Sequence, residues 1–169
     1  MKGFNMGKSL FLMGVVFCLS QFSWADEQLQ NNQGVNMNSN ATANETGVDF
    51  LTGIAKEEGA VTTSTGLVYK VLHAGSGSSP TATSTVEVNY EGRLPNGKIF
   101  DSSYQRGTPI SFGVSDVIAG WTEALQLMQT GSTWELYIPA NLAYGERGVP
   151  GVIPANSVLV FKVELLSFS

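Results

Sequence analysis

The sequence predicts an α+β domain built on antiparallel strands, and three observations carry that reading. Short runs alternate apolar with polar residues, as in Leu67, Tyr69 and Val71, then Val86, Val88 and Tyr90, then Trp134, Leu136 and Ile138; this is the period of a half-buried strand. Between the last two runs, Trp121, Leu125 and Met128 stand at i, i+4 and i+7, the period of a helix, with Gly131 placed to end it. Leu94-Pro95-Asn96-Gly97-Lys98 separates two strand-like runs, and Asn-Gly supplies the positive φ angles of a tight hairpin. Strands on both sides of a single helix are the mark of an α+β domain.

The chain has 169 residues. Residues 1–25 read as a signal peptide: Lys2 and Lys8 precede an apolar run from Leu10 to Leu19, and Ser23-Trp24-Ala25 resembles a cleavage site. The run is about half of the roughly 20 residues a membrane-crossing helix needs, so no stable span is expected. Cys18, the only cysteine, lies within it. Lipidation there is the alternative to simple removal, and the bulky Phe17 before it argues against lipidation. The mature chain then has no disulfide, thiol nucleophile or cysteine-ligated metal.

Residues 26–46 hold Asn31, Asn32, Asn36, Asn38, Asn40 and Asn44 among few large apolar residues. This is the composition of a disordered tether. Over 47–59 a short helix is expected, with Phe50 and Ile54, and Leu51 and Ala55, paired four apart before Gly59. Alone it is too short to persist in water and must dock or fray. Residues 60–169 form the folded domain, closing on a strand near 157–166 with Leu159, Phe161, Val163 and Leu165 on one face.

Charge narrows the partners. Removing residues 1–25 takes two of 9 Lys/Arg and none of 14 Asp/Glu, leaving 7 against 14 and a net charge of −7, which argues against nucleic acid. His73, the sole histidine, has no neighbours suited to metal binding or acid–base work. No phosphate-binding glycine motif or serine-protease constellation is present. No cofactor and no metal are expected.

Four segments carry chemistry in combination: Val88-Asn-Tyr-Glu-Gly92, Phe100-Asp-Ser-Ser103, Val117-Ile-Ala-Gly-Trp121, and Ala143-Tyr-Gly145 running on to Pro150-Gly-Val-Ile-Pro154. Singly, each aromatic reads as core filler and each polar stretch as a turn. In this order, from about Gly66 to Leu166, they resemble the signature of the FKBP-type peptidyl-prolyl cis-trans isomerases. Gly120 to Met128 and Gly131 to Glu135 resemble the macrophage infectivity potentiator branch of bacterial surface and periplasmic isomerases. Phe50 to Gly59 resembles the end of that branch's connecting helix, here without the helical dimerisation region before it, so a monomer is expected.

The resemblance implies a strongly curved antiparallel sheet of five or six strands wrapped around one short helix. It places Tyr90, Phe100, Ile110, Phe112, Val117, Ile118, Trp121, Val152, Ile153 and Phe161 around a proline-sized apolar cavity floored by Trp121, with Asp101 and Tyr144 as polar groups at the rim. Ile110 stands where an aromatic is frequent, and Val149 where a histidine is frequent. The implied activity is isomerisation of X-Pro bonds in exported proteins, without covalent chemistry, in the periplasm or at the bacterial surface. Proline-containing polypeptides are the expected partners and macrolides of the rapamycin class the expected inhibitors. The alternative is a proline-peptide binding module or holdase whose isomerase rate is incidental.

Overall fold

The computed structural model describes residues 39–169, with side chains described from residue 47 onward. The signal peptide expected over 1–25, Cys18 within it and the first part of the expected tether lie outside the described residues. In chain order the elements are α1 (Ser39–Ile54), β1 (Ala60–Thr62), β2 (Val68–His73), β3 (Thr85–Arg93), β4 (Ile99–Ser102), α2 (Ser103–Arg106), β5 (Ile110–Gly113), α3 (Ala119–Leu127), β6 (Thr133–Ile138) and β7 (Leu159–Phe168). Single 3-10 turns stand at Val114–Asp116 and Ala140–Leu142.

The strands form one antiparallel sheet in the order β1-β2-β6-β7-β3-β4, with β5 also paired to β3. Seven strands replace the expected five or six, for a simple reason. β4 and β5 lie along the same edge of β3, opposite Glu91–Arg93 and Thr85–Val88 respectively. They are one strand interrupted by α2. The expected Asn-Gly hairpin joins β3 to β4, closed by Leu94 N–H to Lys98 O and Gly97 N–H to Leu94 O, both 2.9 Å, with Gly97 at φ 85°.

Alternation along β3 buries Val86, Val88 and Tyr90 and turns Glu87, Asn89, Glu91 and Arg93 outward. Trp134, Leu136 and Ile138 of β6 and Leu159, Phe161, Val163 and Leu165 of β7 join the same buried face. Across it lies α3, whose Trp121, Ala124, Leu125 and the following Met128 are fully buried. Register shifts at Val71/His73, Glu87/Val88 and Gly92/Arg93 bend the strands locally.

The outer face has its own, smaller cluster. Val68, Tyr137 and Val160 are buried there by Phe50, Leu51 and Ile54 of α1, and Phe50 packs on Tyr137 with ring centroids 6.1 Å apart. The helix expected over 47–59 thus begins at Ser39, inside the stretch read as tether, and ends at Ile54. Nothing between Ser39 and Thr46 is a proline or glycine, so low hydrophobicity there did not stop the helix from extending. Its early end follows from Gly53 in the last turn and from tighter turns beyond it, Lys56 N–H to Gly53 O and Glu57 N–H to Ile54 O. Glu57 then pairs with Lys70 on β2. Among the described residues, no helix is long and apolar enough to cross a membrane.

Candidate functional site

The interruption of the β4–β5 strand builds half of the site. Where the strand leaves β3, the Tyr90 N–H has lost its ladder partner and donates to Ser103 Oγ at 2.8 Å. The Ser103 hydroxyl lies in turn within reach of Asn89 Oδ1 (3.2 Å) and Tyr90 O (3.3 Å). Ser102 caps α2 by accepting from Gln105 N–H at 3.3 Å, and Gly107 ends it at φ 73° with its N–H on Tyr104 O. That single turn swings Arg106 back over the detour.

There Arg106 pairs with Asp101 and donates to the Tyr90 hydroxyl at 2.8 Å, while the Tyr90 hydroxyl donates to Asp101. The guanidinium also lies 5.4 Å from the Tyr90 ring centre. Asp101 is 2 % exposed, and a carboxylate so deep in a domain needs partners of this kind. Burial first, and then the hydrogen bond to Asp101, push the Tyr90 phenol far above its ordinary range. Burial works against the Arg106 charge, but its bonds to Tyr90 and Asp101 outweigh it and raise its pKa.

Trp121 stands at the centre of an aromatic box. Tyr90 and Phe161 meet it edge-on at 5.3 and 5.2 Å, and Phe112 lies tilted at 5.6 Å. Phe100 extends the box by an edge contact to Phe161 at 5.5 Å. Gly92 makes this packing feasible: a Cβ there would sit 2.6 Å from Phe161 Cε1 and 2.8 Å from Phe100. Val117, Ile118 and Ile153 are buried in the same cluster, and Ile110, Tyr144, Val149 and Val152 are half-buried against it.

Of the twelve residues expected at the site, eleven belong to or pack against the domain's main apolar cluster, and Asp101 is buried beside it through its bond with Tyr90. Trp121, expected as the floor of the cavity, is 0 % exposed, with Tyr90, Phe112 and Phe161 packed around it. Its indole N–H has no hydrogen-bond partner among the described residues.

The rim comes from the segment after β6. Val149 and Ile153 exchange hydrogen bonds of 2.8 Å in both directions, and Val152 N–H donates to Val149 O at 2.9 Å, so the Pro150–Val152 overhang is a closed turn. Burial, and then the neighbouring Asp101 carboxylate, raise the Tyr144 phenol far above its usual range. It is a neutral O–H donor at any physiological pH. At the start of α3, Ile118 O accepts from Trp121 N–H (2.9 Å) and Thr122 N–H (3.1 Å), while the Ile118 N–H donates to no group among the described residues.

Two of these features escape sequence reasoning. Arg106 sits in a four-residue helix, too short to show a period, and an Arg-Gly pair signals a helix end only once the helix is known. The Ile118 donor belongs to the main chain, so no residue type announces it; the signal is position, immediately before a helix, where first-turn N–H groups lack internal partners.

This geometry can be set beside known proteins. A family model described as FKBP-type peptidyl-prolyl cis-trans isomerase matches residues 76–166, and another, for the domain amino terminal to it, matches residues 13–71. Peptidyl-prolyl cis-trans isomerase Mip of Coxiella burnetii is 56% identical over 118 residues, 70% of this chain and 51% of that protein. Outer membrane protein MIP of Legionella longbeachae is 45% identical over 150 residues, 88% of this chain and 63% of that one. The crystal structure of FkpA from Escherichia coli superposes with a TM-score of 0.74 at 50% identity, covering 77% of this chain and 61% of that chain. The chain thus spans about half to two thirds of the length of these relatives. With the α+β fold, the aromatic box and the matched segment all in agreement, the chain belongs to the FKBP-type peptidyl-prolyl cis-trans isomerase family.

Proposed function

We propose that this chain isomerises X-Pro bonds by holding the prolyl ring against the aromatic box around Trp121. The observation that carries the reading is the pairing of that apolar box with two donors beside it, the Tyr144 hydroxyl and the Ile118 N–H. Rotation about a peptide bond costs about 18–20 kcal/mol because the planar form is held by conjugation and charge separation. For X-Pro, uncatalysed exchange takes roughly tens to hundreds of seconds. A dry, apolar surround disfavours the charge-separated planar amide more than the twisted one. No proton is transferred, so no general base is needed.

In this mechanism Tyr144 and the Ile118 N–H orient substrate carbonyls flanking proline, and Phe100, Phe112, Val117, Ile153 and Phe161 exclude water. Ile110 and Val152 edge the entrance. Asp101 acts as an organiser: it fixes Tyr90 and Arg106 rather than touching a reacting proton. Since Trp121 has no exposed surface, seating a prolyl ring against it requires side chains around the box to move.

The test is a protease-free isomerisation assay on a proline tetrapeptide, with and without a macrolide of the rapamycin class. Fast, inhibitable turnover is expected; none would defeat the reading. Tyr144→Phe should lower turnover about tenfold, the scale of one lost hydrogen bond to a substrate. The sealed indole favours one competing reading, a holdase that retains clients on exposed apolar residues such as Val61, Val71 and Leu72. Aggregation suppression that survives saturating macrolide would favour it.

We further propose that residues 1–25 are a cleaved signal peptide, that the remaining segment before α1 is a tether, and that the mature protein works in the periplasm or at the bacterial surface. The name of the Legionella relative supports export. A monomer is proposed because the inner face of α1 is occupied by its own sheet; sedimentation at equilibrium tests it.

A further inference from the structure

Tyr144 is held by its neighbours' backbone. Gly145 N–H donates to Ala140 O at 2.8 Å, Asn156 N–H donates to Gly145 O at 2.8 Å, and Gly148 N–H donates to Tyr144 O at 3.2 Å. Asn156 adopts a left-handed φ of 57° to do this. These bonds form a clamp that sets where the phenol stands.

The residues of that clamp also form one wall of a groove of about 330 Å3. Ala140, Gly145 and Asn156 line one side, and Gly47, Val48 and Leu51 of α1 line the other. The helix approaches closely at one point: a Cβ on Gly47 would lie 3.0 Å from Val158 Cγ2, and Gly47 is buried. A glycine inside a helix costs about 0.5–1 kcal/mol relative to alanine, and here it permits contact with the strand entry that follows Asn156. Gly53, near the end of the same helix, has nothing within 4 Å of the corresponding position.

We propose that α1, docked through Leu51 on Val68, Tyr137 and Val160, positions Tyr144 by bearing through Gly47 on Val158, two residues beyond the Asn156 that clamps it. Bulk at residue 47 pushes the helix away from Val158, widens the groove and loosens the bonds at Gly145 and Asn156. The phenol then loses its fixed direction while the aromatic box stays intact. Gly47 and Leu51 are positioning residues, remote from substrate.

The kinetic consequence rests on the isomerase reading; the structural consequence does not. In the full chain, Gly47→Leu is expected to lower kcat about fivefold with a smaller effect on KM, and to speed amide exchange at Gly145 and Asn156 about tenfold while strand amides such as that of Val163 stay unchanged. Gly53→Ala should leave all of these as they were. In a Tyr144→Phe background, Gly47→Leu should cost nothing further in kcat. An unchanged exchange rate at Gly145 and Asn156, or an equal kcat loss with Tyr144→Phe already in place, overturns the proposal. A parent chain without turnover would defeat the isomerase reading alone, and exchange would still decide this one. If Gly47→Leu does not fold, Leu51→Ala weakens the docking of α1 on Val68, Tyr137 and Val160 without adding bulk; it should speed exchange at the same two amides, and unchanged rates there overturn the proposal.

Discussion

The two longer helices lie on opposite faces of one sheet and are held there very differently. α3 inserts Trp121, Ala124 and Leu125, all without exposed surface, into a cluster shared by β3, β6 and β7. α1 offers only half-buried Phe50, Leu51 and Ile54 to three buried residues of the outer face. α3 completes the core. α1 is docked on a finished sheet, where ends of modest burial open locally at little free-energy cost. Burial is thus divided unequally between the two faces.

Substitutions can break or sharpen that contrast. Trp121→Ala removes the centre of the aromatic box and should cost about 3–5 kcal/mol in denaturant unfolding, with loss of macrolide binding. Gly92→Ala drives a methyl into the edges of Phe100 and Phe161 and should cost about 1–3 kcal/mol, accompanied by weaker ligand affinity in calorimetry. Phe50→Ala on α1 should cost about 1–2 kcal/mol, below the range for a fully buried aromatic, and proteolysis should speed in α1 before the strands.

The smallest effect concerns Glu135, beside α1's docking site. Burial alone would raise its pKa, but hydrogen bonds from Tyr137 and Arg93 hold it below the ordinary carboxylate range. A depressed folded pKa stabilises above the unfolded value of about 4.3 and is lost as pH falls through the folded one. Glu135→Gln should therefore lower the urea midpoint at neutral pH, and the gap to the parent should narrow in acid.

The strands and α3 were legible because their residues obey a period. Val86, Val88 and Tyr90 alternate, and Trp121, Leu125 and Met128 keep helical spacing, so one reading of the pattern fixes both element and buried face. The choice of the twelve expected site residues came from the resemblance, since no period says which buried aromatics share a box. α1's first turns were hidden for the opposite reason: Ser39 to Thr46 is polar and patternless, and helix continuation there is a matter of having no breaker. The close approach at Gly47 is tertiary, set by Val158 more than a hundred positions away, and the sealing of Trp121 depends on side chains from several elements at once. Arg106 and the Ile118 N–H are visible only after the interruption and the helix start have been located.

The interruption itself has a consequence for how such a protein can change. The chain leaves the edge of β3 after Ser102 and rejoins that edge at Ile110, so the pairing on either side does not depend on what the excursion contains. Doubling a flexible excursion adds only about 0.6 kcal/mol of closure entropy. Asp101 and Arg106 stand on or beside a detachable inlay, where the walls facing a client can be recut while the sheet keeps its register.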